Sequence, residues 1–273
     1  MLPSFLLALR EGLEAALIIG IVLGALQKMQ RPDLNRYVWL GAASAVLLSV
    51  LAAVILFSVG ASLEGAAEEI FEGITMLLAA GVLTWMIFWM QAHARTIKSE
   101  LESGVRRATL RGGSQALFLL AFLAVLREGI ELSLFLTAAT FSTSARLTLA
   151  GGLLGLAFAA LLGWLVFATT VRLNLRRFFQ VTSALLILFA AGLVAHGVHE
   201  LVEVGWVPAL IDPLWDINPV LDEGSPAGQI LSALFGYNGD PSLTEVLAYF
   251  AYFAAIAVAL SRRRVLPPAF NEA

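Results

Sequence analysis

Seven stretches of this chain, at about 3–27, 37–60, 66–92, 115–140, 147–171, 178–204 and 242–261, are long and rich in Leu, Ala, Val, Ile and Phe. A helix crosses the bilayer core with about 20 apolar residues. Runs of this length exceed a strand, and none alternates with the period of two that a barrel shows in segments of about 10 residues. The expectation is an all-α integral membrane protein with seven transmembrane helices, in one domain over 1–273. Composition agrees: 59% of the 273 residues are apolar and 14% charged, against about 45–50% and about 25% in soluble domains. A single soluble core could not hide so much apolar surface. No basic leader precedes the first stretch, which is also too long for a signal-peptide core, so it is expected to stay as a helix.

Orientation follows from the basic residues, which accumulate on the inner side. Fourteen of the 17 Lys and Arg fall in four groups on one face of a seven-helix topology. These are Lys28, Arg31 and Arg36; Arg95, Lys98, Arg106, Arg107 and Arg111; Arg172, Arg176 and Arg177; and Arg262, Arg263 and Arg264. The other face receives Arg146 alone, which places the N-terminus outside and the C-terminus inside. A net charge of −3 provides no basic face for nucleic acid. With no cysteine, disulfides, thiolate metal sites, iron–sulfur clusters and cysteine nucleophiles are excluded. Three His limit imidazole chemistry, leaving the oxygen atoms of 20 Asp and Glu.

Charges inside a membrane helix cost about 2.5–3.5 kcal/mol each on insertion scales, so those present carry information. The first helix contains Arg10-Glu11-Gly12-Leu13-Glu14, and the fourth Arg127-Glu128-Gly129-Ile130-Glu131. At i and i+3 both glutamates of a copy can face one line into the bundle, while Arg and the second Glu, at i and i+4, can pair along the helix. Glycine between the charges admits another backbone or an ion. A structural ion pair would be the plainer reading, but two acids per Arg leave one carboxylate over.

The third helix adds Glu64, Glu68, Glu69 and Glu72, of which Glu64 and Glu68 are also explained by the outer interface. The sixth carries His196, His199, Glu200 and Glu203, with His196 equally readable as a hydrogen-bonded buried imidazole. Glu245 fits a helix N-terminus, where the dipole favours an acid. Asp212, Asp216, Asp222, Glu223 and Asp240 on the outer loop, about 205–241, form either an acidic collar or a solvated loop anchored by Trp206 and Trp215. Gly151, Gly152, Gly155 and Gly163 read as close-packing positions.

These placements describe an internal repeat of three helices, about 1–93 and 113–205, followed by the loop and a seventh helix at about 242–261. An odd helix count inverts the second copy, and inverted repeats place substrate near the midplane. Clustered carboxylates repel one another unless a cation sits among them, so a cation path accounts for the set. Oxygen ligands with few imidazoles and no thiolate suit iron, manganese, magnesium or calcium and disfavour copper(I).

The doubled R-E-G-x-E resembles the oxidase-dependent high-affinity iron permease family, of the bacterial EfeU type. So do Glu69-Ile70-Phe71-Glu72-Gly73, Leu83-Thr84-Trp85-Met86, Arg172-Leu173-Asn174-Leu175 and Phe235-Gly236-Tyr237. The resemblance implies import of iron across the bacterial inner membrane by a multi-pass permease rather than an enzyme, with iron as cargo and no permanent cofactor. It implies metal contacts from Glu11, Glu14, Glu128, Glu131, Glu69, Glu72 and Glu203. By position alone Glu68, His199 and Glu200 are further candidate contacts or gates, and Arg10 and Arg127 balance charge. Val202 stands where many relatives place a His before the helix-six acid. A periplasmic iron-binding protein and a haem peroxidase are the implied partners, besides the lipid bilayer. The alternatives are a transporter of another hard divalent cation such as manganese, a proton-conducting or structural membrane subunit, and a membrane di-iron carboxylate oxidase. An oxidase of that kind usually needs Glu-x-x-His motifs, which are lacking here.

Overall fold

A computed structural model of the chain describes residues 1–93, 96–168 and 175–265. As far as they are described, the apolar stretches become helices: α1 (Leu2–Lys28), α2 (Asn35–Ser62), α3 (Ala66–His93), α5 (Gly113–Ser142), α6 (Ala145–Ala168), α7 (Leu175–Glu203) and α9 (Leu243–Val265). Two shorter helices lie between them, α4 (Ile97–Arg107) and α8 (Pro226–Phe235). No strand occurs among the described residues. Arg95, Arg172 and Asn174 lie outside them, as do the side chains of Lys98, Arg111, Arg176, Arg263 and Arg264.

Five helices, α2, α3, α6, α7 and α9, are long and apolar enough to cross a membrane. They turn apolar side chains outward, with Leu47 72%, Trp164 63% and Phe250 63% exposed. α1 and α5 are as long, at 27 and 30 residues, and each carries one charged quintet. α4 is polar, with Glu102 accepting from Lys28 Nζ at 3.3 Å while Val105 is fully buried. It runs through a π turn, Ala108–Gly112, into α5. α8 shows how local residues bound a helix. Ser225 Oγ accepts from Gly228 N at 3.0 Å, Pro226 opens the first turn, and Gly236 ends it at φ +69°. The stretch 205–241, read from sequence as a loop, therefore contains a packed helix, with Gly236 set against the backbone of Gly192 on α7.

α1 packs on α6 and α5, α5 on α2, and α3 on α7. Glycines permit the closest crossings. A Cβ at Gly41 would collide with the Phe118 carbonyl of α5, and one at Gly155 with the Phe5 carbonyl of α1. Gly41→Leu should therefore lower the melting temperature in detergent, by about 1–3 kcal/mol of overpacking. Wild-type melting of this variant would refute the crossing.

Besides a small cluster of Leu9, Leu13 and Ala159 between α1 and α6, two larger apolar layers result. One joins Leu7 of α1 with Phe135 of α5, Met76 and Leu83 of α3, and Phe189 and Leu193 of α7. The other joins Val22 and Leu26 of α1 with Val38 of α2 and Leu117, Ala121 and Val125 of α5. α1 and α5 contribute to both layers, in reversed order of residue number. They therefore run antiparallel, and each charged quintet falls between the layers.

Candidate functional site

The four glutamates of the quintets and Arg10 are buried, while Arg127 is half-buried. Exposure is 0% for Arg10, 1% for Glu11, 8% for Glu14, 5% for Glu128 and 8% for Glu131. The glycines inside them set the crossing. A Cβ at Gly12 would stand 2.8 Å from Ala159 Cβ on α6, and one at Gly129 would overlap the Ser49 side chain of α2. Gly12 thus lets α6 approach α1, and Gly129 lets α2 approach α5. The spacing anticipated a close approach at these glycines, and the occupant is a neighbouring helix.

In each copy the arginine pairs with the second glutamate, as the i, i+4 spacing predicts. Arg10 Nε donates to Glu14 Oε1 at 3.1 Å and Arg127 Nε to Glu131 Oε1 at 2.9 Å. The first glutamates have no such partner. Glu11, Glu128 and Glu131 each bring one carboxylate oxygen to within 4.8 Å of the others. Both oxygens of Glu11, and Oε2 of Glu128 and of Glu131, are buried without a hydrogen-bond partner. Glu14 lies outside this trio.

Unpartnered buried carboxylates are costly, and like charges raise that cost. Fully ionised, the four carboxylates and two guanidiniums of the quintets leave two negative charges, which a divalent cation would balance. Three oxygens at this separation match a hard cation bound by carboxylate. The trio draws on both copies, so neither quintet holds it alone.

The remaining acids gather elsewhere. A Cβ at Gly73 of α3 would meet the Gly197 carbonyl at 2.9 Å and Glu200 Cβ at 3.2 Å, which sets the Glu72 turn beside the Glu200 turn of α7. Glu72 is within electrostatic reach of Glu200, Glu68 and Glu69. Glu64 and Glu68 are exposed, and Glu69 and Glu72 half-buried. His199 lies between two acids, its Nε2 3.6 Å from Glu203 Oε1 and its Nδ1 3.2 Å from Glu245 Oε2. His196 Nδ1 contacts the Gly192 carbonyl at 3.1 Å, and Nε2 contacts Ser232 Oγ at 3.2 Å.

Glu245 exceeds its expected part. It is 2% exposed and accepts from Asn238 Nδ2 at 3.0 Å besides contacting His199. The signal in the sequence was Ser242-Leu243-Thr244-Glu245, an S-x-x-E capping box, and both of its bonds form, Glu245 N to Ser242 Oγ at 3.3 Å and Ser242 N to Glu245 Oε2 at 3.4 Å. That spacing could have shown the cap but not the histidine on another helix.

Fold and site together define an all-helical membrane protein with a buried carboxylate cluster of the kind that holds a cation. The Iron permease FTR1 family matches residues 1–265, and the chain belongs to that family. It is 36% identical over 270 residues to the ferrous iron permease EfeU of Escherichia coli O6:K15:H31 (strain 536 / UPEC), covering 98% of this chain and 96% of that one. The EfeU of Shigella sonnei (strain Ss046) is equally similar, at 36% over the same shares. That of Yersinia pestis is 35% identical over 254 residues, 92% of this chain and 90% of its own. No solved structure matches. The family is one of permeases, so the chain is a transporter for iron and not an enzyme.

Proposed function

We propose that the chain imports iron across the bacterial inner membrane, as the ferrous ion named for its relatives, through the glutamates of the two R-E-G-x-E quintets. One observation carries this reading: Glu11, Glu128 and Glu131 converge from two helices with buried, unpartnered oxygens. Glu14, held by Arg10, is the fourth carboxylate of the quintets and stands beside the trio. The apolar layers on either side make it an occluded midplane site, which the ion reaches and leaves by separation of one layer at a time.

In this reading α1 and α5 cross the membrane as well, giving seven spans with the N-terminus outside. Their charges are turned into the bundle, where such residues belong to an ion pathway. Matched packing supports an inverted repeat. Gly12 and Gly129 are 117 apart in sequence, their neighbours Ala159 and Ser49 are 110 apart, and each pair joins the first helix of one half to the second helix of the other. Inversion would carry the two E-x-x-E pairs to opposite ends, yet the turns of Glu72 and Glu200 lie side by side at one end. The acidic pairs therefore stand outside the duplication. They form a vestibule on the outer side, where Glu69, Glu72, Glu200, Glu203 and His199 gather ions, with Glu68 at its rim. A periplasmic iron-binding protein and a haem peroxidase are the partners that would deliver iron there.

Uptake of iron into proteoliposomes tests the proposal. Glu14→Gln and Glu131→Gln should each reduce the initial rate at least about tenfold, the scale on which perturbing a metal site is felt. Undiminished uptake in both would sink it.

A further inference from the structure

The two quintets are alike in sequence and unlike in surroundings. Arg10 is fully buried, and its Nη1 and Nη2 have no hydrogen-bond partner. The Arg127 side chain is 35% exposed and lies over two indole rings, with Cζ 4.7 Å from the centroid of Trp89 and 5.6 Å from that of Trp85. Trp89 in turn stacks on His93 at 4.8 Å and 19°. Trp85, Trp89 and His93 follow at i, i+4 and i+8 on α3, so one helical face presents an aromatic stripe to the arginine of α5. Trp85 belongs to the Leu83-Thr84-Trp85-Met86 stretch, which no carboxylate role explains.

We infer that Trp85 and Trp89 are positioning residues for Arg127, holding its guanidinium when a bound cation displaces it from Glu131. Glu131 offers Oε1 to Arg127, leaves Oε2 without a partner, and brings one carboxylate oxygen to within 4.8 Å of those of Glu11 and Glu128. A cation drawn to that trio repels the neighbouring guanidinium and competes for the same carboxylate. Arg10 is enclosed and stays with Glu14 as a fixed counter-charge. Arg127 is only partly enclosed, and the negative faces of two indoles stabilise it once the carboxylate is lost. When the ion leaves, Arg127 returns to Glu131 and lowers the affinity of the emptied site for a new ion from that side. One fixed and one movable counter-charge give nearly identical quintets different tasks.

The inference rests on the ion site proposed above, and a double-mutant cycle on the full chain in detergent tests both. Binding of Mn²⁺, a spectroscopic stand-in for the ferrous ion, is followed by loss of the free-ion electron paramagnetic resonance signal. Trp85→Leu/Trp89→Leu should weaken binding by about three- to tenfold, the scale of one or two cation–π contacts. Trp89→Phe, which keeps a ring face, should retain most of the affinity. With Arg127→Gln as the background the tryptophan substitutions should have no effect, since no cation remains to be held. Wild-type affinity in the double variant, or a loss that persists undiminished beside Arg127→Gln, as misfolding would give, overturns the role of the rings alone. Absence of Mn²⁺ binding in the wild type, or binding indifferent to Glu11→Gln, overturns the ion site and this inference together.

Discussion

Glu128→Gln is expected to abolish high-affinity metal binding and, at the same time, to make the metal-free protein more heat-resistant. Glu128 shares the buried trio with Glu11 and Glu131, and one of its oxygens has no partner. Removing a carboxylate from three that face one another relieves repulsion and desolvation in the empty state. An amide there can also donate a hydrogen bond to Glu11, whose oxygens have none. The loaded state loses a charged ligand, which should weaken affinity by about a hundredfold or more, since even outer-shell changes cost about 10–100-fold. Melting curves with and without Mn²⁺ separate the two effects. The metal-free curve should move up, and the metal-induced stabilisation should vanish. A downward shift of the metal-free curve would mean that Glu128 is a structural partner and the trio is no ion site.

Arg10→Met is expected to be among the most destabilising single changes in the protein, and Arg127→Met to be much milder. Arg10 is fully enclosed, and its pair with Glu14 joins side chains of 0% and 9% exposure. Removing one member of a buried pair leaves a bare charge behind, at a cost of about 3–5 kcal/mol. Arg127 is a third exposed where Arg10 is fully enclosed, so replacing it removes fewer packing contacts and leaves a smaller unfilled space. Glu14→Gln introduced beside Arg10→Met should return most of the lost stability, because no uncompensated acid then remains there. Melting of the two single variants and of that double variant in detergent checks the order. Equal losses from Arg10→Met and Arg127→Met would contradict the unequal burial.

The difference between these arginines shows where reading the sequence reached its limit. R-E-G-L-E and R-E-G-I-E differ at one position, so spacing assigns Arg10 and Arg127 one role. Burial of the first and the aromatic cover over the second depend on which helices pack nearby, and Trp85 and Trp89 lie about 40 residues from Arg127 in sequence. The i, i+4 ion pairs were legible, because both partners sit on one helix where geometry is fixed by rise and turn. So were the long helices, whose apolar length leaves a bilayer-spanning segment few alternatives. α8 was not, because Ser225, Pro226 and Gly236 bound only 10 residues within a loop rich in acids and prolines. Glu245 showed a helix cap and concealed its contact with His199, which is 46 residues away.

By itself the sequence determined the lengths of the helices, the pairing of each arginine with the second glutamate of its quintet, and the restriction to oxygen ligands in a chain without cysteine. Those properties are local or compositional, so chain order suffices. The tertiary structure decided that Glu11, Glu128 and Glu131, and not Glu14, share one space. It also decided that the motif glycines receive α2 and α6, and that the turns carrying Glu72 and Glu200 lie side by side. These follow from the antiparallel crossings of α1 with α5 and of α3 with α7, where side-chain volume on both helices sets the approach, and no spacing along one helix carries that information.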